Sequence, residues 1–408
     1  MTGRRGFLKT AGGLLVAGIG GAAPLRSIGA GELGPEALPR GTLESAVLEA
    51  LPGKLPLIKK TWRPPNFETP VRYFEPLFTP NEAFFVRYHL ASIPRLEGAG
   101  WRLKIAGNAV ERPFELSLEE LRRDYEHVEV AAVCMCSGNR RGLSDPHVPG
   151  VEWGHGAMGN ALWAGARLRD VMARAGLRRD AVEIVFGGAD SGVLPATPDF
   201  VKSLPVWKAL DENTLIAYEM NGHALPHWNG YPARLVVPGW TATYWMKHLT
   251  TIDGLSAPYQ GFWMNPAYRI PKGKFPIVDR FLSQETETST PITEMVVNSL
   301  ITAPAQPTAP AGAAVEVRGI AWDGGYGIAF VEVSHDGGAT WRRAELGRDA
   351  GRFSWRQWQY RFQPERRGKY TIMAKATNLA GATQTFDLIF NPAGYHNNVV
   401  QRLDIVVS

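Results

Sequence analysis

At 408 residues the chain has room for two or three domains, and 45% hydrophobic against 20% charged residues excludes a largely disordered protein. Its two cysteines, Cys134 and Cys136, exclude a disulfide scaffold and a four-cysteine metal site, and no Cys-x-x-Cys-His run is present to attach a haem covalently. The formal charge of +5 is concentrated at the start: without Arg4, Arg5, Lys9, Arg26 and Glu32, 44 basic and 39 acidic residues become 40 and 38, so nothing points to nucleic acid, which needs a clustered basic face.

Residues 1–32 read as a removed leader. A charged start, Arg4-Arg5-Gly6-Phe7-Leu8-Lys9, precedes an uncharged run from Thr10 to Leu25 that is interrupted by glycines and ends among small residues. That run is too short to span a bilayer, which takes about 20 apolar residues. Arg4-Arg5 with Phe7 and Lys9 resembles a twin-arginine signal; an ordinary secretory signal or an N-terminal anchor is the alternative. Twin-arginine export carries folded protein, which suits a cofactor inserted in the cytoplasm and a final location in the periplasm.

Residues 33–100 are punctuated by Pro52, Pro56, Pro64, Pro65, Pro70, Pro76 and Pro80, which forbid long helices and predict an extended arm packed on the next domain. Within it, residues 84–90 have strand composition, and period-two alternation puts Phe85, Arg87 and His89 on one face. Residues 101–285 mix helices and strands. Ser117-Leu118-Glu119-Glu120 is a capping box that predicts a helix from Leu118. Leu168, Val171, Met172 and Ala175 fall at helical spacing before Gly176, a plausible stop. Residues 128–133 and 235–237 read as buried strands. Polar, Thr-rich residues 284–293 mark a boundary, and residues 290–408 carry short strand patterns at 315–322, 330–334, 340–346, 360–362 and 370–376. Asp336-Gly337-Gly338 is a hairpin turn signal between two of them. The fold class is α+β, followed by an all-β immunoglobulin-like sandwich without a disulfide.

The densest chemistry lies in Cys134-Met135-Cys136-Ser137-Gly138-Asn139-Arg140-Arg141, at the end of a predicted strand. A thiolate is a soft metal ligand, neighbouring guanidinium groups favour it, and Gly138 lets backbone approach a bound group. A pair of buried free cysteines beside structural arginines accounts for the same residues. A disulfide within Cys-x-Cys would be badly strained.

The run Cys136-Ser137-Gly138-Asn139-Arg140-Arg141 resembles the molybdenum-ligating Cys-x-Gly-Asn-Arg-Arg motif of the sulfite oxidase family of molybdopterin enzymes. Phe85-Val86-Arg87-Tyr88-His89 resembles that family's Phe-Val-Arg-x-His segment. The stretch 163–171 resembles the family's helix after the cysteine loop, 217–222 and 230–239 its molybdopterin-binding core, and 319–341 its C-terminal dimerisation domain. The likeness covers residues 75–408 and points within the family to catalytic subunits of bacterial sulfite dehydrogenase. It implies a sulfite-oxidase-type molybdopterin domain followed by the sandwich, and molybdenum-molybdopterin as cofactor.

By the same resemblance Cys136 is the protein ligand of the metal, and Cys134, without a family role, is structural. Arg87, His89, Arg141, Trp153 and Tyr268 surround the substrate, a small oxyanion that fork-shaped guanidinium groups suit. Taken alone, each arginine could be an ion-pair partner and His89 a core histidine; Tyr268 rests wholly on the resemblance. Arg234 matches the arginine on the pterin phosphate, Lys247 a nearby cation and Asp190 a pterin-ring partner, with Phe85, Arg87, His89 and Trp245 as further cofactor contacts. Asn229 departs from the pattern, which has His there; an amide still donates and accepts hydrogen bonds.

The implied reaction is oxidation of sulfite to sulfate by oxygen-atom transfer, with electrons passed singly to a c-type cytochrome. No haem motif lies in this chain, so the haem belongs to a diffusing cytochrome or a separate, tightly bound subunit. The sandwich implies a homodimer or a seat for that cytochrome. The alternatives are a periplasmic molybdenum-dependent sulfoxide reductase, a class that lacks the sandwich, and a secreted binding module with an inactive catalytic domain.

Overall fold

The computed structural model describes residues 47–306 and 308–408; the expected leader and the first part of the arm lie outside them. The arm folds into a small sheet of four strands, Val47–Glu49, Leu57–Thr61, Asn66–Glu68 and Val86–Arg87, in chain order. The strand expected over 84–90 is thus only two residues long. Its partner begins at Asn66, just after Pro64 and Pro65, so only Asn66 and Phe67 are left to pair with Arg87 and Val86. The alternation survives outside the ladder. Val86 and Tyr88 enter a core with Leu51, Leu57 and Phe67, while Phe85, Arg87 and His89 face a cavity.

Two sheets carry the catalytic part. One has the order Val201–Pro205, Glu183–Gly188, Leu249–Leu255, Arg102–Ala106, Phe114–Ser117, and its Leu249–Leu255 to Arg102–Ala106 pairing is parallel. The other runs His223–Ala224, Leu215–Met220, Met158–Arg167, Val128–Met135, with Arg234–Val236 also paired to Leu215–Met220. Their inner faces share one core that includes Ile105, Phe186, Ile252, Trp163 and Ile216. Both predicted helices form. At Leu118–Asp124, Ser117 Oγ accepts from Glu120 N (3.1 Å) and Glu120 Oε2 accepts from Ser117 N (2.8 Å), satisfying two donors that the helix leaves open. At Leu168–Ala175 the apolar stripe is buried and Gly176, at φ 68°, closes the helix.

The strand expected to stop at Val133 continues to Met135 because both its faces are buried. Ala132, Cys134 and, one step past the strand, Cys136 point into the catalytic core. Val133 and Met135 point the other way, into a second core with Leu300, Ile320, Trp322 and Trp355 of the C-terminal part. One strand is therefore the wall between two cores.

The C-terminal part is a sandwich of two sheets. Asn298–Ala303, Val315–Trp322, Arg356–Phe362 and Glu345–Leu346 form one, and Thr308–Ala309, Gln401–Val407, Gly368–Asn378, Ile328–Ser334 and Arg342–Arg343 the other. The single strand predicted over 340–346 is split between them: Arg342–Arg343 pairs with Ile328–Ser334 and Glu345–Leu346 with Arg356–Phe362. The whole is mostly strand with few helices, and among the described residues no helix is long and apolar enough to cross a membrane.

Candidate active site

A cavity of about 520 Å³ opens where the end of Val128–Met135 meets the arm. Cys136 lines it, held by its own N–H to Ala157 O (2.9 Å) and by its carbonyl, which accepts from Asn139 N (2.9 Å). Phe85, Arg87 and His89 line it together with Asn229, Arg234, Trp245, Lys247 and Tyr268; Asn229 Nδ2 donates to Phe85 O (3.2 Å) and Lys247 Nζ to Arg87 O (2.7 Å). Arg87 Nη2 donates to the Tyr268 hydroxyl at 3.5 Å, Arg87 Nη1 to Asn66 Oδ1 at 3.2 Å, and the guanidinium also interacts with the Cys136 thiol. His89 Nε2 pairs with the Tyr268 hydroxyl, and its ring stacks on Phe200 at 3.8 Å. Tyr268 sits in the left-handed region at φ 59°, which costs a non-glycine residue about 1–3 kcal/mol and persists because its neighbours hold it there.

The cavity's chemistry is cationic. Arg87, Arg234 and Lys247 line it, and no carboxylate does. Burial lowers the Lys247 ammonium to about 8, with Asp190 opposing. Burial, reinforced by Arg87, Lys247 and Lys202, pushes His89 well below the usual histidine range, so its imidazole is neutral. Burial raises the Tyr268 phenol, with Arg87 opposing, which keeps its proton in place. The Arg234 guanidinium lies over both the Trp163 (5.0 Å) and Trp245 (5.7 Å) rings, donating to Asn229 O (2.9 Å) and Trp245 O (3.0 Å). Its Nε has no partner, nor does the buried Thr243 hydroxyl on the same cavity wall.

Nine of the residues singled out from sequence meet here: Phe85, Arg87, His89, Cys136, Asn229, Arg234, Trp245, Lys247 and Tyr268. Arg141, Trp153 and Asp190 are not on the cavity wall. Arg141 lies behind it, donating to Ala393 O (2.8 Å) and covering the Tyr395 ring (5.3 Å), which in turn stacks on Tyr268. Gly138 serves this arginine rather than a bound group: a Cβ there would lie 2.5 Å from Arg141 Nη2. Trp153 is fully buried, in a loop whose Gly154 and Gly156 N–H groups donate to Glu68 (both 2.8 Å). Asp190 is buried within electrostatic reach of Lys247 and Tyr88. Cys134, expected to be structural only, lines the cavity with its Sγ 3.9 Å from Arg234 Nη2, because residues 134 and 136 share a strand face. Ser137, Phe200, Trp228 and Thr243 also line it; lone residues of these types carry no sequence signal.

The pattern described as "Oxidoreductase molybdopterin binding domain" matches residues 89–263, and "Mo-co oxidoreductase dimerisation domain" matches 289–408. Mitochondrial sulfite oxidase of Rattus norvegicus is 34% identical over 394 residues, 92% of this chain and 71% of its own. This chain belongs to the sulfite oxidase family. The human enzyme is likewise 34% identical, over 93% of this chain and 71% of its own. The NADH nitrate reductase of Ulva prolifera, at 28% identity, matches 80% of this chain and 40% of its own. The sulfane dehydrogenase SoxCD of Paracoccus pantotrophus shares the fold, with TM-score 0.73 over 95% of this chain and 92% of its own, at 23% identity.

The cofactor of this sulfite oxidase family member is molybdenum-molybdopterin, and the residues present fit it. The unpartnered Arg234 Nε and Thr243 hydroxyl lie on the cavity wall together with Lys247, as an anionic, acceptor-rich group requires. Cys136 presents a soft thiol to the same space. Among the described residues no group of three or more His, Cys, Asp or Glu side chains is placed to hold a metal ion.

Proposed function

We propose that this chain is a sulfite dehydrogenase, oxidising sulfite to sulfate and passing the electrons one at a time to a c-type cytochrome. The observation that carries this reading is the meeting, in a cavity lined by no carboxylate, of the Cys136 thiol with Arg87, His89 and the Tyr268 hydroxyl. Molybdenum-molybdopterin held by Cys136, Arg234 and Lys247 would supply oxygen-atom transfer to sulfur and take up two electrons. The chain does the rest. Arg87 has a planar fork to hold two oxygens of the anion, and Asn66 and Tyr268 fix its plane. His89, kept neutral by burial and paired through Nε2 with the Tyr268 hydroxyl, holds that hydroxyl beside the Arg87 guanidinium. Arg234, Lys247 and Thr243 bind the anionic end of the cofactor, and Phe85, Asn229 and Trp245 flank it.

The dimerisation pattern over 289–408 supports a homodimer through the sandwich. The expected twin-arginine leader supports a periplasmic location, where a c-type cytochrome would take the electrons as a separate chain. Sulfite-dependent reduction of ferricytochrome c is the decisive assay, with a sulfoxide and nitrate as control substrates. Activity on sulfite alone is expected, and Cys136→Ser should abolish it; near-normal turnover in that variant would refute the ligand assignment.

A further inference from the structure

Lys54, in the arm, is buried and hydrogen-bonded to no carboxylate; burial lowers its ammonium to about 7, with the Glu82 carboxylate opposing from a distance. Its Nζ donates to three acceptors: Asn81 O (2.6 Å), Phe84 O (3.0 Å) and Asn229 Oδ1 (2.6 Å). Three acceptors match the three N–H groups of an ammonium, and an ammonium can only donate. Asn229 must therefore turn its carbonyl oxygen to Lys54 and its amide nitrogen the other way. That nitrogen donates to Phe85 O at 3.2 Å and keeps a second N–H. Lys54 is absent from the cavity wall, whereas Asn229 and Phe85 both belong to it.

We propose that Lys54 is a positioning residue for the cofactor, setting the orientation of Asn229 so that the cavity receives an N–H donor and not a carbonyl oxygen. By binding the carbonyls of Asn81 and Phe84, the same ammonium ties the segment that leads into Phe85 and Arg87 to the Asn229 wall. A carbonyl facing Arg234, Lys247 and an anionic ligand would repel the ligand; an N–H adds to its binding. The inference rests on the reading of this cavity as the molybdopterin site.

The test measures molybdenum and pterin per chain after gel filtration of holoenzyme, and the unfolding temperature of the cofactor-free protein. Lys54→Met is expected to lower retained molybdenum roughly tenfold, the scale typical of residues that orient a metal site's contacts. Asn229→Ala should cause a similar loss, and Lys54→Met should cost less in that background than in wild type, since the part of its effect that runs through Asn229 is already lost. A merely structural lysine would lower the unfolding temperature equally in both backgrounds and leave retention alone. Wild-type retention in Lys54→Met, or the same fold-loss repeated in the Asn229→Ala background, overturns the proposal. Should Lys54→Met not accumulate, Asn229→Ala still decides, because wild-type molybdenum content there is equally fatal. Wild-type protein free of molybdenum would instead sink the reading of the cavity, a distinct result.

Discussion

Arg87 is held by Asn66 on the arm and by the Tyr268 hydroxyl, and its guanidinium reaches Cys136. A group so fixed binds an anion without first being ordered, so its loss should appear in binding. Arg87→Met is expected to raise the sulfite KM by roughly ten- to a hundredfold, the weight of a charge-assisted hydrogen bond, with kcat less affected. Steady-state kinetics check this, and an unchanged kcat/KM would remove Arg87 from the pocket. Residues 85, 87 and 89 were legible because alternation survives even where the ladder does not. Thr243 was not legible, since only its unpartnered hydroxyl in a cavity distinguishes it. Cys134 was read as structural because it has no role in the family pattern, and a motif says nothing of which other side chains share the cavity-facing side of the strand.

The strand Val128–Met135 shows what an element adds. Its apolar run marked a buried strand, but the run looks the same whether one face is buried or two. Neighbouring residues in fact serve different cores: Cys134 faces the cavity, and Met135 accepts from Trp322 Nε1 at 3.3 Å in the junction with the sandwich. Met135→Ala should cost about 2–4 kcal/mol of stability through the cavity it leaves. Calorimetry reads the loss as a lower unfolding temperature. A variant as stable as wild type would show that the junction core repacks freely.

At the scale of the molecule the sandwich reaches back to the catalytic loop. Arg140, in the left-handed region at φ 69°, donates to Asn298 Oδ1 and Val399 O (both 2.7 Å), while Arg141 binds Ala393 O. Burial also leaves several histidines neutral: His248 is lowered to about 3 and His396 to about 4, and His89 and His155 are pushed well down. Below the ordinary value of 6.5 the unfolded chain takes up protons that these folded sites refuse. Their contribution to stability is therefore complete above pH 6.5 and shrinks as pH falls toward 3. His248, whose ring nitrogens meet the Tyr88 hydroxyl and Tyr231 O (both 2.7 Å), isolates the effect. Between pH 7.5 and 5.5 the unfolding temperature should fall more in wild type than in His248→Gln; equal falls would rule His248 out.

Local patterns in the sequence were enough for two helices with their caps, four of the nine described strands of the sandwich, and the shared face of Phe85, Arg87 and His89, while Cys136 stood out only through the family resemblance. Capping and alternation act over a few residues, and their physics is local. Tertiary structure alone decided that Arg141 backs the cavity instead of lining it, that Cys134 faces it, that one strand divides two cores, and that Lys54 reaches Asn229. Each depends on a partner far along the chain — 175 residues away for Lys54 — and burial and hydrogen bonding at that range exist only once the chain has folded.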